Sequence, residues 1–223
     1  MALTGVGTMN FREPSTDREG EIELFLNALR AVIPDRRALY VSAPLTSGRR
    51  FAEWSLTADR SLGASSTEYR QAHSDQVVRP NRAAAAGIIG HLRRDLPRWL
   101  REETSSVVVI DPTAVPDLDR WGQNDYRVLW KRVIELFARA IIFLDGWNYS
   151  SGCAYEFLTG VRYGIDLRRV DGTKIAVQEG IDLLGSGAKD LAVIGSDTEF
   201  IEWAANEAAL AASLPLTLRE TGS

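Results

Sequence analysis

Three short apolar runs that alternate with helix-length segments constrain the fold of this sequence more than any other feature. They are Ala38 to Ala43 in "RALYVSAP", then "SVVVIDP" and "AIIFLD", and each leads into a loop rich in Ser, Asp, Pro or Gly. Short runs of this kind indicate buried strands. The later segment "TKIAVQ" is predicted to add a fourth strand. Strands that alternate with helices predict an α/β fold whose parallel sheet is covered on both faces.

The segments between these strands have mostly helical periodicity. The predicted helices are residues 18–34, which end at Pro34; a segment that begins at Asn81 as its N-cap and runs through Trp99; "NDYRVLWKRVIELFARA"; the segment with Ala154, Phe157, Leu158 and Val161; and residues 197–213. Residues 46–80 have weak periodicity and many polar or small residues. We therefore expect them to form a long excursion of the functional or mobile kind.

The length of the chain favours one domain, because 223 residues with 45% apolar side chains can bury a single sizeable core. We predict a Rossmann-like, flavodoxin-like α/β domain at residues 35–215, with four to five parallel strands. An additional helix at 18–34 precedes it. Residues 1–17 are predicted to be a flexible tail, and residues 216–223 a C-terminal tail.

Composition excludes several classes of protein. The chain has 26 basic and 30 acidic residues, a net charge of -4 and no basic block, so no nucleic-acid polymer is predicted as a partner. The single cysteine, Cys153, cannot form an intramolecular disulfide, and no His/Cys cluster indicates a metal site. No segment resembles a membrane span or a signal peptide. We expect a cytoplasmic protein with no metal and no organic cofactor.

Candidate ligand-binding residues follow the predicted strands, because ligands of parallel sheets bind at the carboxyl ends of the strands. Pro44 follows the first strand, while Asp145 and Trp147 follow the third. Glu156 lies in the first turns of the next helix and off its apolar stripe, so its side chain can face the crevice. These residues are predicted to bind or act on a small molecule.

Two serines and a glycine precede Glu156. Ser150 and Ser151 offer hydroxyls at a predicted helix N-terminus, and Gly152 allows a ligand to approach the backbone closely. Simpler interpretations exist, since serines are common helix caps and a glutamate in a first turn favours the helix dipole. Trp147 could stack on a base or pack against the domain.

The residues around Glu156 carry a resemblance to a known family. "ALYVSAP", together with "RAIIFLDGWNYSSGCAYEFLTGVRYG", resembles the nucleoside 2-deoxyribosyltransferase family and its relatives that hydrolyse nucleoside 5′-monophosphates. The motif reads Ser-x-Gly-x-x-Tyr-Glu, and the resemblance covers roughly residues 38 to 177. It implies that Glu156 is the nucleophile, that Ser150 contacts a 5′-phosphate and that Tyr40 orients Glu156. It also implies at least a homodimer, for which the apolar C-terminal segment "FIEWAANEAALAASL" would offer a surface.

A second acid is needed to protonate the departing base. The resemblance implies an acid about one helix upstream of the nucleophile, but in this sequence that position falls at Lys131 and Arg132. Asp125 and Glu135 are the nearest acids, and Asp145 ends the third strand. One of these three would have to take the role.

Three functions are consistent with these residues. The first is N-glycosidic cleavage or transfer on a nucleoside or nucleoside 5′-monophosphate, with the monophosphate preferred. The second is an NAD glycohydrolase like those of Toll/interleukin-receptor-like domains, which also use one glutamate in an α/β fold. The third is a non-catalytic nucleotide-binding or sensing module. In each case the partner is a small nucleoside or nucleotide.

Overall fold

The computed structural model describes residues 14–33, 36–58, 63–97 and 107–215. Four parallel strands form one sheet: β1 (Ala38–Ser42), β2 (Val108–Ile110), β3 (Ala138–Phe143) and β4 (Asp166–Arg169). Their order is β2-β1-β3-β4. The predicted α/β class and the parallel sheet flanked by helices are confirmed.

This strand order places a switch point between β1 and β3. The chain leaves β1 for β2 on one side, and then returns past β1 to form β3 on the other side. The connections at the carboxyl ends of β1 and β3 therefore diverge to opposite faces of the sheet. A crevice opens where they separate, and this is where open α/β sheets bind ligands.

Eight α-helices are present in the described ranges. They are α1 (Glu19–Arg30), α2 (Arg49–Thr57), α3 (Thr67–His73), α4 (Arg79–Arg94), α5 (Gln123–Phe137), α6 (Ser151–Arg162), α7 (Val177–Val193) and α8 (Glu199–Ser213). A π-helical turn, Ser74–Val78, joins α3 to α4, and short 3-10 turns lie at Pro112–Ala114 and Trp147–Tyr149. In this part of the chain no helix has both the length and the apolar character needed to cross a membrane.

The helices cover the sheet on both faces. Alternate residues of β1 point in opposite directions, as the pleat requires, so Leu39 and Val41 pack against α4. Tyr40 points to the other face, where α1, α5, α6, α7 and α8 share one core. The alternation thus directs one buried hydroxyl of β1 toward the α5 and α6 side.

The fourth strand does not lie in "TKIAVQ", and that prediction is wrong. β4 is Asp166–Arg169, and its chain turns at Gly172 and returns along β4 through a single antiparallel bridge between Arg168 and Lys174. Val177 already opens α7. As an edge strand β4 carries charged residues and buries only Leu167, so it lacks the apolar run by which the other strands were predicted.

The boundaries of the predicted helices also differ. The excursion at 46–80 contains α2, α3 and the π-helical turn, and α4 begins at Arg79, so Asn81 is not an N-cap. α4 ends at Arg94, and the predicted end at Trp99 lies outside the described residues. Pro34, residues 1–13 and the tail at 216–223 also lie outside them. α7 was not predicted.

The C-terminal helix α8 packs on α6 and α7 of the same chain. Its buried residues are Ile201, Ala204, Ala205, Ala208 and Ala211. The apolar face on which a dimer was expected is therefore used inside the domain.

Candidate functional site

A cavity of about 230 Å³ lies at the carboxyl edge of the sheet. Its walls come from the loops after β1 and β2 and from the first turns of α5 and α6. The lining residues are Ala43, Leu45, Thr46, Ser47, Arg82, Pro112, Val115, Asp117, Gln123, Tyr126, Arg127, Trp130, Ser150, Gly152, Tyr155 and Glu156. The cavity thus occupies the crevice at the switch point, at the carboxyl ends of the strands, and Glu156 borders it.

Tyr40 and Glu156 meet below this cavity. The Tyr40 hydroxyl donates a hydrogen bond of 2.6 Å to Oε1 of Glu156, although 116 residues separate the two in sequence. Tyr40 is fully buried in the middle of β1, while Glu156 lies in the second turn of α6. The fold therefore brings together the two residues that the family resemblance pairs.

The environment of Glu156 disfavours the ionised form of its carboxyl group. The residue as a whole is partly exposed, but its Oε2 atom is buried. Burial raises the pKa of Glu156 to about 7, against the lowering effects of Ser42 and Tyr40. Within the described residues neither Oε2 nor the Ser42 hydroxyl makes a hydrogen bond of normal geometry, although Ser42 lies close enough to affect the Glu156 pKa. One carboxylate oxygen is thus held and the other is unpartnered.

Tyr40 is a neutral donor. Burial, followed by the neighbouring Glu156 carboxylate, raises the pKa of Tyr40 well above its usual value. Its proton therefore stays on the phenol at neutral pH and can be donated only to an acceptor such as Oε1. This fixes the orientation of the carboxylate.

The two serines have different positions. Ser150 caps α6, since its Oγ accepts a hydrogen bond from the backbone N–H of Cys153 at 3.4 Å, and it also lines the cavity. Ser151 accepts from Arg127 at 3.0 Å and is not among the lining residues. Gly152 lines the cavity. The capping and ligand-facing interpretations of Ser150 are thus compatible.

Arg127 is a site residue that sequence reasoning missed. It lies in the first turns of α5, lines the cavity, and its Nε is buried without a hydrogen-bond partner among the described residues. No carboxylate of those residues forms an ion pair with it. Burial of the guanidinium lowers the pKa of Arg127. The sequence signal that could have identified it is its position: it lies three residues before Trp130, near the start of a helix that leads into a strand.

Two of the three candidate second acids, Asp125 and Glu135, lie away from the cavity. Asp125 accepts hydrogen bonds from the Gly122 N–H at 2.7 Å and from the Thr16 hydroxyl, and these contacts lower the pKa of Asp125. Glu135 lies in the second half of α5 and is not a lining residue. The cavity contains a different acid, Asp117, in the loop after β2. That loop has no periodicity from which its direction could be predicted.

Arg132 pairs with acidic residues of α1 and does not line the cavity. It occupies the region where the resemblance places an acid, and it forms ion pairs with Glu19, at 2.9 Å, and Glu23 of α1. The additional N-terminal helix thus explains the positive charge at that position.

Trp147, Asp145 and Pro44 do not line the cavity of Glu156. Trp147 is 5% exposed and packs on Phe143 and Phe157, with ring centroids 4.6 and 5.2 Å away. Pro44 and Asp145 line a second cavity of about 400 Å³, which shares Ala43 with the first. The aromatic residues that do border the first cavity are Tyr126, Trp130 and Tyr155.

Hydrogen bonds from α4 hold the loop after β1 in place. The Asn81 amide donates to the carbonyls of Leu45 and Ser47, both at 3.1 Å. Gly48 has a φ of 87°, and a Cβ there would lie 2.8 Å from Pro44. The α4 side chain therefore shapes one wall of the cavity, and the tight turn keeps that wall in place.

Comparisons of the chain with protein-family models, with curated proteins and with solved structures found no match. Among the described residues no group of three or more His, Cys, Asp or Glu side chains is placed to hold a metal ion. The described residues offer a desolvated carboxylate, an arginine that has no acidic partner among them, and aromatic residues around a small cavity. This set can bind an anionic, ring-containing molecule and attack an electrophilic carbon.

Proposed function

We propose that this protein cleaves the N-glycosidic bond of a nucleoside or nucleoside 5′-monophosphate through Glu156. The observation that supports this most is the buried carboxylate at the switch-point cavity, with Oε1 held by Tyr40 and Oε2 unpartnered. A carboxylate held in this way is ready to attack in one direction. Burial raises the pKa of Glu156 to about 7, so the carboxylate can be either protonated or ionised near neutral pH.

Glu156 acts as the nucleophile in this mechanism. The bond between C1′ and the base nitrogen breaks, and its electron pair leaves with the base. The Glu156 carboxylate forms a bond to C1′ as positive charge develops on the sugar. Water, or a second base, then displaces the carboxylate and completes hydrolysis or transfer.

Asp117 is the proposed proton donor to the leaving base. It replaces Asp125 and Glu135 in this role because, of the three, it alone lines the cavity. Trp130 and Tyr126, which line the same cavity, offer faces on which the base can stack. The base would then lie between these rings and the loop after β2.

Arg127 and Ser150 favour a substrate with a 5′-phosphate. A guanidinium that is partly desolvated and has no acidic partner is stabilised by an anion that can accept its hydrogen bonds. Ser150 and the first amides of α6 border the same cavity and add donors for phosphate oxygens. The monophosphate therefore fits better than the free nucleoside.

A second candidate activity is NAD glycohydrolysis, which one observation favours. The cavity of about 400 Å³ adjoins the Glu156 cavity at Ala43 and could accept the second half of a dinucleotide. The chemistry at Glu156 would be the same in both cases.

The test is a panel of nucleosides, nucleoside 5′-monophosphates and NAD, incubated with purified protein and analysed for free base by chromatography. We expect base release from at least one monophosphate, and no release with the Glu156→Gln protein purified in the same way. Release from NAD alone would select the second candidate. No release from any member of the panel would leave a non-catalytic nucleotide-binding module and overturn the proposal.

Assembly into at least a homodimer stays a prediction, as does a cytoplasmic location. Because α8 buries its apolar face inside the chain, a dimer would have to use another surface. Light scattering at micromolar concentration tests it: a monomer would contradict the dimer that the family resemblance implies.

A further inference from the structure

The guanidinium of Arg127 lies between the N-terminus of α6 and the C-terminal helix α8. One Nη atom donates to Asn124 at 3.0 Å and the other to Ser151, also at 3.0 Å. The Phe200 ring of α8 lies against the guanidinium plane, with its centroid 3.9 Å from Cζ. Two terminal hydrogen bonds and one aromatic face therefore hold this side chain.

Phe200 is itself held in place by other aromatic rings. It contacts Tyr155 edge-on at 5.9 Å and Trp203 at 5.0 Å, and Tyr155 lines the cavity. None of the residues that line the cavity comes from α8. The C-terminal helix thus contacts the site only indirectly, through side chains that pack behind the lining residues.

We propose that Phe200 is a positioning residue, which holds the Arg127 guanidinium toward the cavity and so allows the site to bind a phosphate group. The inference rests on the anion site of the proposed function. A long arginine side chain loses considerable rotamer freedom when it is held in one orientation. An aromatic face contributes a directional contact that needs no carboxylate, and a carboxylate would neutralise the charge that the phosphate requires.

This role explains why Arg127 has an aromatic partner where buried arginines usually have an acidic one. An acid would compete with the phosphate for the same donors. The ring attracts the cation through its electron-rich face and does not use the N–H groups at the edge of the guanidinium, of which Asn124 and Ser151 each accept one hydrogen bond.

Ribose 5-phosphate is a suitable probe, because it carries the sugar and the phosphate but no base to release. We expect calorimetry to show that Phe200→Leu raises the dissociation constant for this ligand about twofold to thirtyfold, the range of a cation-π contact. Phe200→Tyr keeps the ring and is expected to bind within about twofold of the wild type. In an Arg127→Gln background, Phe200→Leu is expected to have no further effect.

Each alternative outcome is informative. Equal binding by Phe200→Leu and the wild type would overturn the proposal, and so would an equal loss in the Arg127→Gln background, since Phe200 would then act by general packing. Phe200→Met replaces the leucine variant if the latter does not fold. Binding of ribose 5-phosphate without base release from any nucleotide would refute the proposed function and leave this inference standing. No binding by the wild type would refute the inference whatever the base-release assay shows.

Discussion

Two cavities lie side by side at the carboxyl edge of the sheet and share Ala43. They differ in whether their charged side chains are buried or exposed to solvent. The first contains Glu156 and Arg127, each with a buried polar atom that has no partner among the described residues. The second contains Asp145 and Arg49, which pair with each other at 3.3 Å and are 81% and 53% exposed. Both contain residues that sequence reasoning assigned to ligand binding.

The difference shows that burial, rather than residue type or loop position, distinguishes the acid with a raised pKa at this edge. Asp145 and Glu156 both follow β3, and the sequence predicted Glu156 as the nucleophile and Asp145 as a ligand-binding residue or the second acid. Only Glu156 is enclosed by β1 and α6, which raises its pKa to about 7. Water around Asp145 screens its charge and leaves it an ordinary surface acid.

Removing the two carboxylates in turn gives the largest expected contrast. Glu156→Gln keeps the size of the side chain but removes the nucleophile, so base release should fall by at least about a thousandfold. Asp145→Asn, at the same sheet edge, should stay within about twofold of the wild type. Steady-state rates on the best nucleotide of the panel measure both. Similar losses in the two variants would mean that the cavities do not differ in function.

Stability should also depend on pH through Glu156. The folded state raises its pKa from 4.5 to about 7, so between these values the folded protein binds more protons than the unfolded chain. The wild type should therefore lose stability as the pH rises through this window, on the order of 3 kcal/mol in total. Glu156→Gln should lack this loss. Urea unfolding at pH 5 and pH 8 tests the difference, and parallel pH dependence in the two proteins would contradict the burial argument.

A negative charge introduced at Ser150 should affect phosphate binding selectively. Asp also caps helices, so Ser150→Asp should preserve α6 while repelling a 5′-phosphate. Loss of a charge-assisted contact predicts an affinity lower by about tenfold to a hundredfold for a nucleoside monophosphate and little change for the free nucleoside. Ser150→Asn is the neutral control. Equal weakening of both ligands by Asp would mean that Ser150 acts only as a cap.

Burial also explains which parts of the fold and of the site could be predicted from the sequence. β1 and β3 are buried on both faces, so their apolar runs identified the fold, whereas β4 is a charged edge strand and was missed. The motif before Glu156 is local and could be read directly. The contact with Tyr40 was implied only by the family resemblance, and the burial of Glu156 beside Ser42 could not be predicted, because it depends on a distant strand.

Side-chain direction is the other quantity that the sequence does not contain. Trp147 seemed available for a ligand, but Gly146 adopts a left-handed turn with a φ of 75° and the indole packs into the core. Arg127 was overlooked because a single basic residue in a helix is usually solvated. Only the position of α8 shows that an aromatic ring holds it beside the cavity.

Loss of the Tyr40 hydroxyl should move the pH dependence of base release. The hydrogen bond from Tyr40 lowers the pKa of Glu156, so Tyr40→Phe should raise that pKa further and shift the midpoint of activity upward by about one pH unit. Below the midpoint the rate should fall by about tenfold. Tyr149→Phe is the matched control, because the Tyr149 hydroxyl donates to Asp190 at 2.7 Å and does not line the cavity of Glu156. An unchanged midpoint in Tyr40→Phe would show that this hydrogen bond does not set the ionisation of Glu156.

The smallest effect is expected for the ion pair of the second cavity. Arg49 and Asp145 lie in water, where charge screening and the entropy of two ordered side chains offset most of the attraction. A double-mutant cycle with Arg49→Ala and Asp145→Ala, measured on the free energy of unfolding, should therefore give a coupling energy below about 1 kcal/mol. This coupling energy should decrease further in high salt. Base release from a monophosphate should be unaffected, since neither side chain borders the cavity of Glu156. Release from NAD provides the critical comparison: if these substitutions weaken NAD turnover but leave monophosphate turnover intact, the second cavity binds the other half of a dinucleotide, and the two cavities form one extended site.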